Sequence, residues 1–171
     1  EFRRVLFRSS QLSGSGLHIH FSLNNSRGEN VFASPVNALS SMMRLCIAGQ
    51  LALMPASVAI LAPGVNAFRR LRKNLTEPVF NSWGYNTRSA ALRIPCSDDG
   101  NRRIEYRLAG ADANPYLVAA TILTGMLYGL EHIDEGDLPE PQHDQPELPL
   151  FQQEAIEAFA RCQYLTDSLG D

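Results

Sequence analysis

Two histidines and a serine recur at alternate positions in a short segment near the start of the sequence. In residues 16–23 apolar side chains alternate strictly with His18, His20 and Ser22, which predicts a strand with one polar face. Histidines two residues apart on a strand direct their ring nitrogens to the same side, so this face is suited to a metal ion or another ligand. Two solvated surface histidines are the alternative interpretation.

A second segment, residues 102–110, alternates in the same way and carries a carboxylate between two arginines. Arg103, Glu105 and Arg107 share one face of this predicted strand. On a lone strand these residues would form a salt-bridged surface. If the strand pairs with the first one, Glu105 becomes a candidate metal ligand and Arg107 a candidate partner for a substrate carboxylate.

The cationic residues are almost all arginine, and they are concentrated in the middle of the chain. Nine of the 15 Lys and Arg residues fall within residues 69–107, and Lys73 is the only lysine. Planar guanidinium groups bind phosphate and carboxylate oxygens in a bidentate manner, so this bias favours specific oxyanion recognition. The net charge of −3 argues against a nucleic-acid groove. Metal candidates beside convergent arginines therefore predict metal-assisted phosphoryl chemistry on a nucleotide.

The elements that must position these residues predict an α+β fold, in which a curved antiparallel sheet carries buried helices on its apolar face. The expected strands cover residues 16–23, 90–95 and 102–109. Asn114 and Pro115 indicate the start of a helix over residues 115–131, which is apolar on nearly every face and is expected to be deeply buried within a large protein. Residues 35–62 are expected to form two helices, the second of which begins at Pro55.

The chain of 171 residues is long enough for one domain, and its ends differ in composition from its middle. The expected division is a foreign or disordered prefix at 1–12, the main domain at 13–133, an exposed acidic Pro-rich loop at 134–150 and a truncated helical segment at 151–171.

The charge-free stretches and the cysteines of the sequence indicate whether the chain spans a membrane and in which cellular compartment it is found. Two charge-free stretches are interrupted by proline or by polar residues, which favours buried helices over membrane spans. Three widely spaced cysteines argue against a disulfide scaffold and favour a reducing, cytoplasmic location.

Five motifs together resemble the C-terminal catalytic half of the glutamine synthetase superfamily. They are, in chain order between Ser13 and Leu130, GSGLHIHFSL, VNAFRRL, WGYNTRSAALRIP, RRIEYR and GADANPYLVAA. The WGYN and AGADANPYLVAA variants are most similar to the γ-glutamylpolyamine ligases, the γ-glutamylputrescine synthetases in particular. The resemblance implies that ATP drives the joining of glutamate to an amine, putrescine or a related polyamine, through a γ-glutamyl phosphate, with Mg²⁺ or Mn²⁺ as cofactor. The alternatives are a glutamine synthetase that uses ammonium and an inactive binding or assembly remnant.

The resemblance also implies roles for individual residues. The implied sites are a metal site at His18 and Glu105, an ATP site at His20, Ser22, Arg88 and Arg93, and a glutamate site at Gly14, Arg70 and Arg107. Arg88 would also stabilise the transferring charge. The flap glutamate that the family carries two residues before a proline is Thr76 here, and Glu77 lies one residue nearer Pro78, so Glu77 is a second catalytic candidate. A family lysine near the nucleotide corresponds to Asn101.

Parts of the family's catalytic unit have no counterpart in these motifs. The resemblance implies an N-terminal β-grasp domain and upstream strands whose glutamates supply most of the metal ligands. We therefore expect a fragment that is inactive alone, belonging to a ligase of stacked homo-oligomeric rings whose active sites form between subunits. The expected partners are glutamate, ATP and the amine, with no nucleic acid and no membrane.

Overall fold

The computed structural model describes residues 14–34, 38–72, 77–141 and 146–170. Predictions that fall on residues 1–12, Pro35 and Thr76 lie outside these ranges. The strands and helices are β1 (Ile19–Phe21), α1 (Ser41–Leu61), β2 (Trp83–Tyr85), β3 (Leu92–Ile94), β4 (Ile104–Tyr106), α2 (Pro115–His132), α3 (Gln152–Arg161) and α4 (Gln163–Leu169). Short 3-10 turns occupy Ala67–Arg69, Asp99–Asn101 and Glu135–Asp137. The predicted α+β class is confirmed.

The four strands form one sheet in the order β1-β4-β3-β2. Strand β4 pairs antiparallel with both β1 and β3, as the alternating segments predict. Strand β2 was not predicted, and it pairs parallel with β3, so the sheet is mixed rather than wholly antiparallel. The register places His20 opposite Glu105 and Glu105 opposite Arg93, and the polar side chains of three strands therefore share one face.

The opposite face of the sheet is apolar and forms part of the core. Leu92 and Ile94 of β3 and Ile104 of β4 are almost fully buried there. Tyr106, also on this face, makes a side-chain hydrogen bond with Ser57 of α1, and burial raises its pKa well above the ordinary value for tyrosine. The period of two in the sequence thus separates a packed face from a polar one.

Helix α1 is the central buried helix. It begins where the Ser40 hydroxyl accepts a hydrogen bond from the amide of Met43 at 3.2 Å, an N-cap that satisfies one of the first free N–H groups. By length and composition α1 could cross a bilayer, but core helices pass the same test, and 67% of its most apolar window is buried inside the protein.

Pro55 lies inside α1, and the prediction that it begins a separate helix was wrong. A proline has no N–H, so the carbonyl oxygen four residues earlier, on Leu51, loses its helical partner. The side-chain amide of Asn81 replaces it, because Nδ2 donates to that oxygen at 2.9 Å. The helix continues because a residue from outside it satisfies the free carbonyl.

Replacing Asn81 with alanine is expected to lower the free energy of unfolding by about 1–3 kcal/mol, since the Leu51 carbonyl then stays buried without a donor. Pro55→Ala restores an N–H within the helix. In that background Asn81→Ala is expected to cost clearly less, and urea denaturation of the four proteins of this double-mutant cycle measures the difference. Equal costs of Asn81→Ala in both backgrounds would refute the link between Asn81 and Pro55.

Helices α1 and α2 cross with their backbones in contact. A Cβ on Gly49 would overlap the carbonyl oxygen of Gly125, and a Cβ on Gly129 would overlap the carbonyl oxygen of Leu45. Beside the crossing, the buried Gln50 donates from Nε2 to the carbonyl oxygen of Ile122 at 2.9 Å. Glycines on both helices therefore allow the close approach.

Helix α2 begins and ends almost where the sequence predicts. The Asn114 side chain accepts from the amide of Tyr116 at 2.9 Å, and Pro115 occupies the first turn. Burial of this helix within a large protein stays a prediction, because apolar side chains on its outer face are exposed in this chain by itself. Tyr116 is 83% exposed, and Leu123 and Leu127 on the outer face are more than half exposed.

The acidic segment 134–150 packs along the β2 side of the sheet where it is described. Leu138 and Leu148 are buried, and Trp83 donates from Nε1 to the carbonyl oxygen of Pro139 at 2.7 Å. The amide of Leu148 donates to the carbonyl oxygen of Val79 at 2.9 Å. These contacts hold the loop against the fold. The segment after it is helical and forms α3 and α4.

Candidate functional site

The candidate site is built on the polar face of the sheet, where β4 lies between β1 and β3. Glu105 is at its centre, and its side chain is only 4% exposed. Arg93 donates from Nη1 to Oε2 of Glu105 at 2.7 Å, and Arg107 donates from Nη1 to Oε1 at 2.7 Å. One buried carboxylate is thus held by two guanidinium groups from neighbouring positions on the sheet.

The charge of Glu105 follows from these contacts. Burial raises the pKa of the carboxyl, but hydrogen bonds and charges from Arg93 and Arg107 outweigh burial and hold the pKa below its ordinary value. Glu105 is therefore ionised at neutral pH. The pair of arginines also leaves net positive charge at this centre, which suits an anionic ligand.

His18, the residue immediately before β1, is also part of this cluster. Its Nδ1 lies 3.2 Å from Oε1 of Glu105 and 3.5 Å from Nη1 of Arg107. Burial and the charge of Arg107 lower the pKa of His18, against the opposing effect of Glu105. A neutral imidazole keeps a nitrogen lone pair, which a metal ligand requires.

His18 and Glu105 do not make a metal site by themselves. Within the described ranges no group of three or more His, Cys, Asp or Glu side chains converges, and both oxygens of Glu105 already accept from arginine. A hard divalent cation takes about six or more ligands, mostly oxygen. The residues present supply two donors and do not fit a complete site.

Arg70 and Glu77 form a second buried pair next to this cluster. Nη1 of Arg70 donates to Oε2 of Glu77 at 2.9 Å, and Nη2 donates to the carbonyl oxygen of Leu108. The Arg70 side chain is fully buried and that of Glu77 is 7% exposed. Both groups influence the pKa of His18, which places them beside the same centre. In this structure the carboxylate of Glu77 therefore binds the guanidinium of Arg70, which the resemblance assigns to the substrate glutamate.

The remaining predicted residues surround this centre or stand apart from it. His20 accepts at Nδ1 from Nε of Arg103 at 3.3 Å, at an exposed position. Ser22 is exposed, and Arg88 is exposed in the loop between β2 and β3. Gly14 lies before β1 and is partly buried. The structure therefore brings together His18, Arg70, Glu77, Arg93, Glu105 and Arg107.

Two asparagines add contacts near the site. Asn101, at the position where the resemblance implies a lysine, holds its own turn through hydrogen bonds from Nδ2 to both carboxylate oxygens of Asp98, at 2.8 and 3.0 Å. Asn86, which no sequence pattern singles out, accepts at Oδ1 from Nη2 of Arg93 at 2.7 Å. Asn tolerates the left-handed conformation that a turn after a strand requires, but the sequence offers no signal for this turn because β2 itself is not predicted.

Comparisons with known proteins find similar sequences and a similar fold. The γ-glutamylputrescine synthetase PuuA of Escherichia coli K12 is 44% identical over 165 residues, which cover 93% of this chain and 34% of that protein. A glutamine synthetase of Pyrococcus woesei is 34% identical over 170 residues, covering 92% of this chain and 38% of that protein. The solved structure of a GmaS/ADP complex superposes with a TM-score of 0.84 at 28% identity, covering 97% of this chain and 41% of the other.

The family assignment rests on nearly the whole sequence. The chain spans about a third of the length of the curated relatives that it matches. The family described as glutamine synthetase, catalytic domain, matches residues 8–171, a range that includes the acidic segment and the last two helices. The chain therefore belongs to the glutamine synthetase family, through its catalytic domain.

Proposed function

We propose that this chain is catalytic-domain sequence of an ATP-dependent ligase that joins the γ-carboxylate of glutamate to an amine through a γ-glutamyl phosphate. The observation that carries the proposal is the polar sheet face, on which Arg93 and Arg107 both contact Glu105 at 2.7 Å. Phosphoryl transfer depends on positioning and on stabilising charge on oxygen atoms, and guanidinium groups provide both. The 44% identity to PuuA supports the same reaction class.

The arginines are proposed to divide between the two anionic substrates. Arg93 and the exposed Arg88 would hold the phosphates of ATP, where Arg88 stabilises the transferring charge. Arg107 and Arg70 would pair with the carboxylates of glutamate, near Gly14. His20 and Ser22 would contact the nucleotide from the exposed end of β1.

Members of this family use ATP with a divalent metal, here proposed to be Mg²⁺ or Mn²⁺. His18 and Glu105 would supply two of its ligands, and the metal, when bound, would neutralise phosphate oxygens. Because two donors are too few, we propose that the 171-residue chain does not turn over alone. The complete site would form in a homo-oligomer of stacked rings. A cytoplasmic location is proposed on the three free thiols.

The amine is proposed to be putrescine or a related polyamine, on the similarity to PuuA. One observation favours the alternative, a glutamine synthetase that uses ammonium. Glu77 turns its carboxylate toward the site and contacts Arg70 at 2.9 Å, so it could take the proton-accepting role of the family's flap glutamate. Glu77 is thus proposed as a catalytic residue only if the second substrate is ammonium rather than putrescine or a related polyamine.

Phosphate release from ATP by the purified gene product that carries this sequence tests the proposal. We expect release that requires both glutamate and putrescine, and a fall of about 100-fold or more in Arg93→Gln. Arg161→Gln, at an exposed position on α3, is the control and is expected to keep wild-type activity. Faster turnover with ammonium than with putrescine would establish the alternative acceptor. Absence of turnover with either acceptor, and with ethanolamine and isopropylamine, for which two relatives are named, would support an inactive remnant.

A further inference from the structure

Asn86 has an unusual backbone conformation for the place that it occupies. Among the described non-glycine residues it alone has a positive φ, of 50°. It directly follows β2, and its amide donates to the carbonyl oxygen of Ile94 on the neighbouring strand at 2.9 Å. Asparagine is one of the few residues that adopts this conformation at low cost. The turn therefore fixes where the Asn86 side chain points.

That side chain reaches Arg93 at the centre of the polar face. Arg93 donates from Nη2 to Oδ1 of Asn86 at 2.7 Å and from Nη1 to Oε2 of Glu105 at 2.7 Å. Hydrogen bonds at both terminal nitrogens prevent the guanidinium plane from turning. The Nε of Arg93 is buried and has no hydrogen-bond partner in the described part of the chain, so an anion would meet the second N–H group of a terminal nitrogen.

We propose that Asn86 is a positioning residue, which orients the Arg93 guanidinium toward an oxyanion of the nucleotide. The inference rests on the proposed function for the identity of that anion. An amide oxygen accepts a hydrogen bond without adding negative charge, so Arg93 keeps more of its attraction for phosphate than it would beside a second carboxylate. Glu105 alone would leave the guanidinium free to rotate about a single contact.

Two substitutions separate the side chain of Asn86 from its backbone. Asn86→Gly keeps the positive φ and removes the amide, whereas Asn86→Asp keeps an acceptor and adds charge. In the 171-residue chain, nitrogen-15 NMR of Arg93 is expected to show distinct, slowly exchanging Nη signals in wild type and Asn86→Asp. These signals are expected to average in Asn86→Gly, while the melting temperature changes little.

The activity of the gene product gives the second measurement. Asn86→Gly is expected to lower kcat about tenfold, because a misdirected guanidinium stabilises the transferring charge less well. Asn86→Asp is expected to keep kcat nearer to wild type but to raise KM for ATP several-fold through repulsion of the phosphates. A purely structural role for Asn86 would lower the melting temperature without these separate effects on kcat and KM.

The two proposals fail in distinguishable ways. A wild-type gene product without turnover overturns the proposed function, and the NMR comparison then decides alone whether Asn86 orients Arg93. Distinct Arg93 Nη signals that persist in Asn86→Gly overturn the positioning role at any level of activity. An unchanged kcat in Asn86→Gly, in an active enzyme, overturns it as well.

Discussion

Replacing Gly129 with alanine is expected to lower the free energy of unfolding by about 3 kcal/mol, the upper end of the usual cost of overpacking. The new Cβ would overlap the carbonyl oxygen of Leu45 in α1. This obstacle is the backbone of a buried helix, which cannot rotate away as a side chain can. Helices α1 and α2 must therefore separate and lose packing along their crossing. Urea denaturation followed by circular dichroism measures the loss.

Gly136→Ala is the matched control, because nothing lies within 4 Å of the position of its Cβ. Its stability is expected to stay within about 0.5 kcal/mol of wild type. Gly49→Ala approaches the same crossing from α1 and is expected to be as damaging as Gly129→Ala, since its Cβ would overlap the carbonyl oxygen of Gly125. A Gly129→Ala chain as stable as the Gly136→Ala chain would contradict the close crossing.

The parts of the fold that the sequence predicts are those with a strong local signal. The alternation around His18 and Glu105 fixes which side chains share a face whatever the strands pair with, and β1 and β4 indeed pair with those faces aligned. Asn114 and Pro115 predict the start of α2 because capping is decided within one helical turn. Local chemistry is sufficient in both cases.

The features that the sequence does not predict depend on contacts between distant residues. Strand β2 is as short as the other strands, but adjacent polar residues before it and Gly84 within it leave no alternating pattern to recognise. Pro55 ordinarily ends a helix, and it is tolerated here because Asn81, which lies 26 positions further along the chain, satisfies the carbonyl oxygen of Leu51. No pattern around Pro55 itself contains that information.

The candidate site also combines features that the sequence predicts with features that it does not. The motif resemblance assigns Arg93, Glu105 and Arg107 to the nucleotide, metal and glutamate sites of one active site, and the structure brings them within hydrogen-bonding distance. The resemblance assigns Arg70 to a substrate and Glu77 to a flap, yet the two are paired with each other in this structure. Their pairing depends on how the chain between them turns, which spacing alone does not specify.

Replacing Glu77 with alanine is expected to lower the free energy of unfolding by about 3–5 kcal/mol, because it leaves a buried guanidinium without its carboxylate. The side chain of Arg70 is fully buried. Burial lowers the pKa of Arg70, and the charge and hydrogen bond of Glu77 oppose that effect. Without Glu77 the cost of keeping Arg70 charged in the interior is no longer offset, and urea denaturation measures it.

Two control variants show whether the loss of stability in Glu77→Ala is specific to a buried ion pair. Asp99→Ala removes the partner of Arg102 at 3.0 Å, but Asp99 is 54% exposed, so the expected loss is at most about 1 kcal/mol. The double variant Arg70→Met, Glu77→Leu removes both buried charges and is expected to recover most of the stability that Glu77→Ala loses. A loss in Glu77→Ala no larger than that in Asp99→Ala would contradict the buried pair.

The same variants bear on how glutamate could reach Arg70. The Oε2 atom of Glu77 lies 2.9 Å from Nη1 of Arg70. A substrate carboxylate can therefore pair with this guanidinium only if it displaces Glu77 or shares the guanidinium with it. Glu77→Gln keeps a hydrogen-bond acceptor but weakens the internal competitor, so KM for glutamate is expected to fall several-fold if Arg70 binds substrate. An unchanged KM, together with the loss of stability in Glu77→Ala, would mean that Arg70 supports the fold and that Arg107 alone binds the carboxylate.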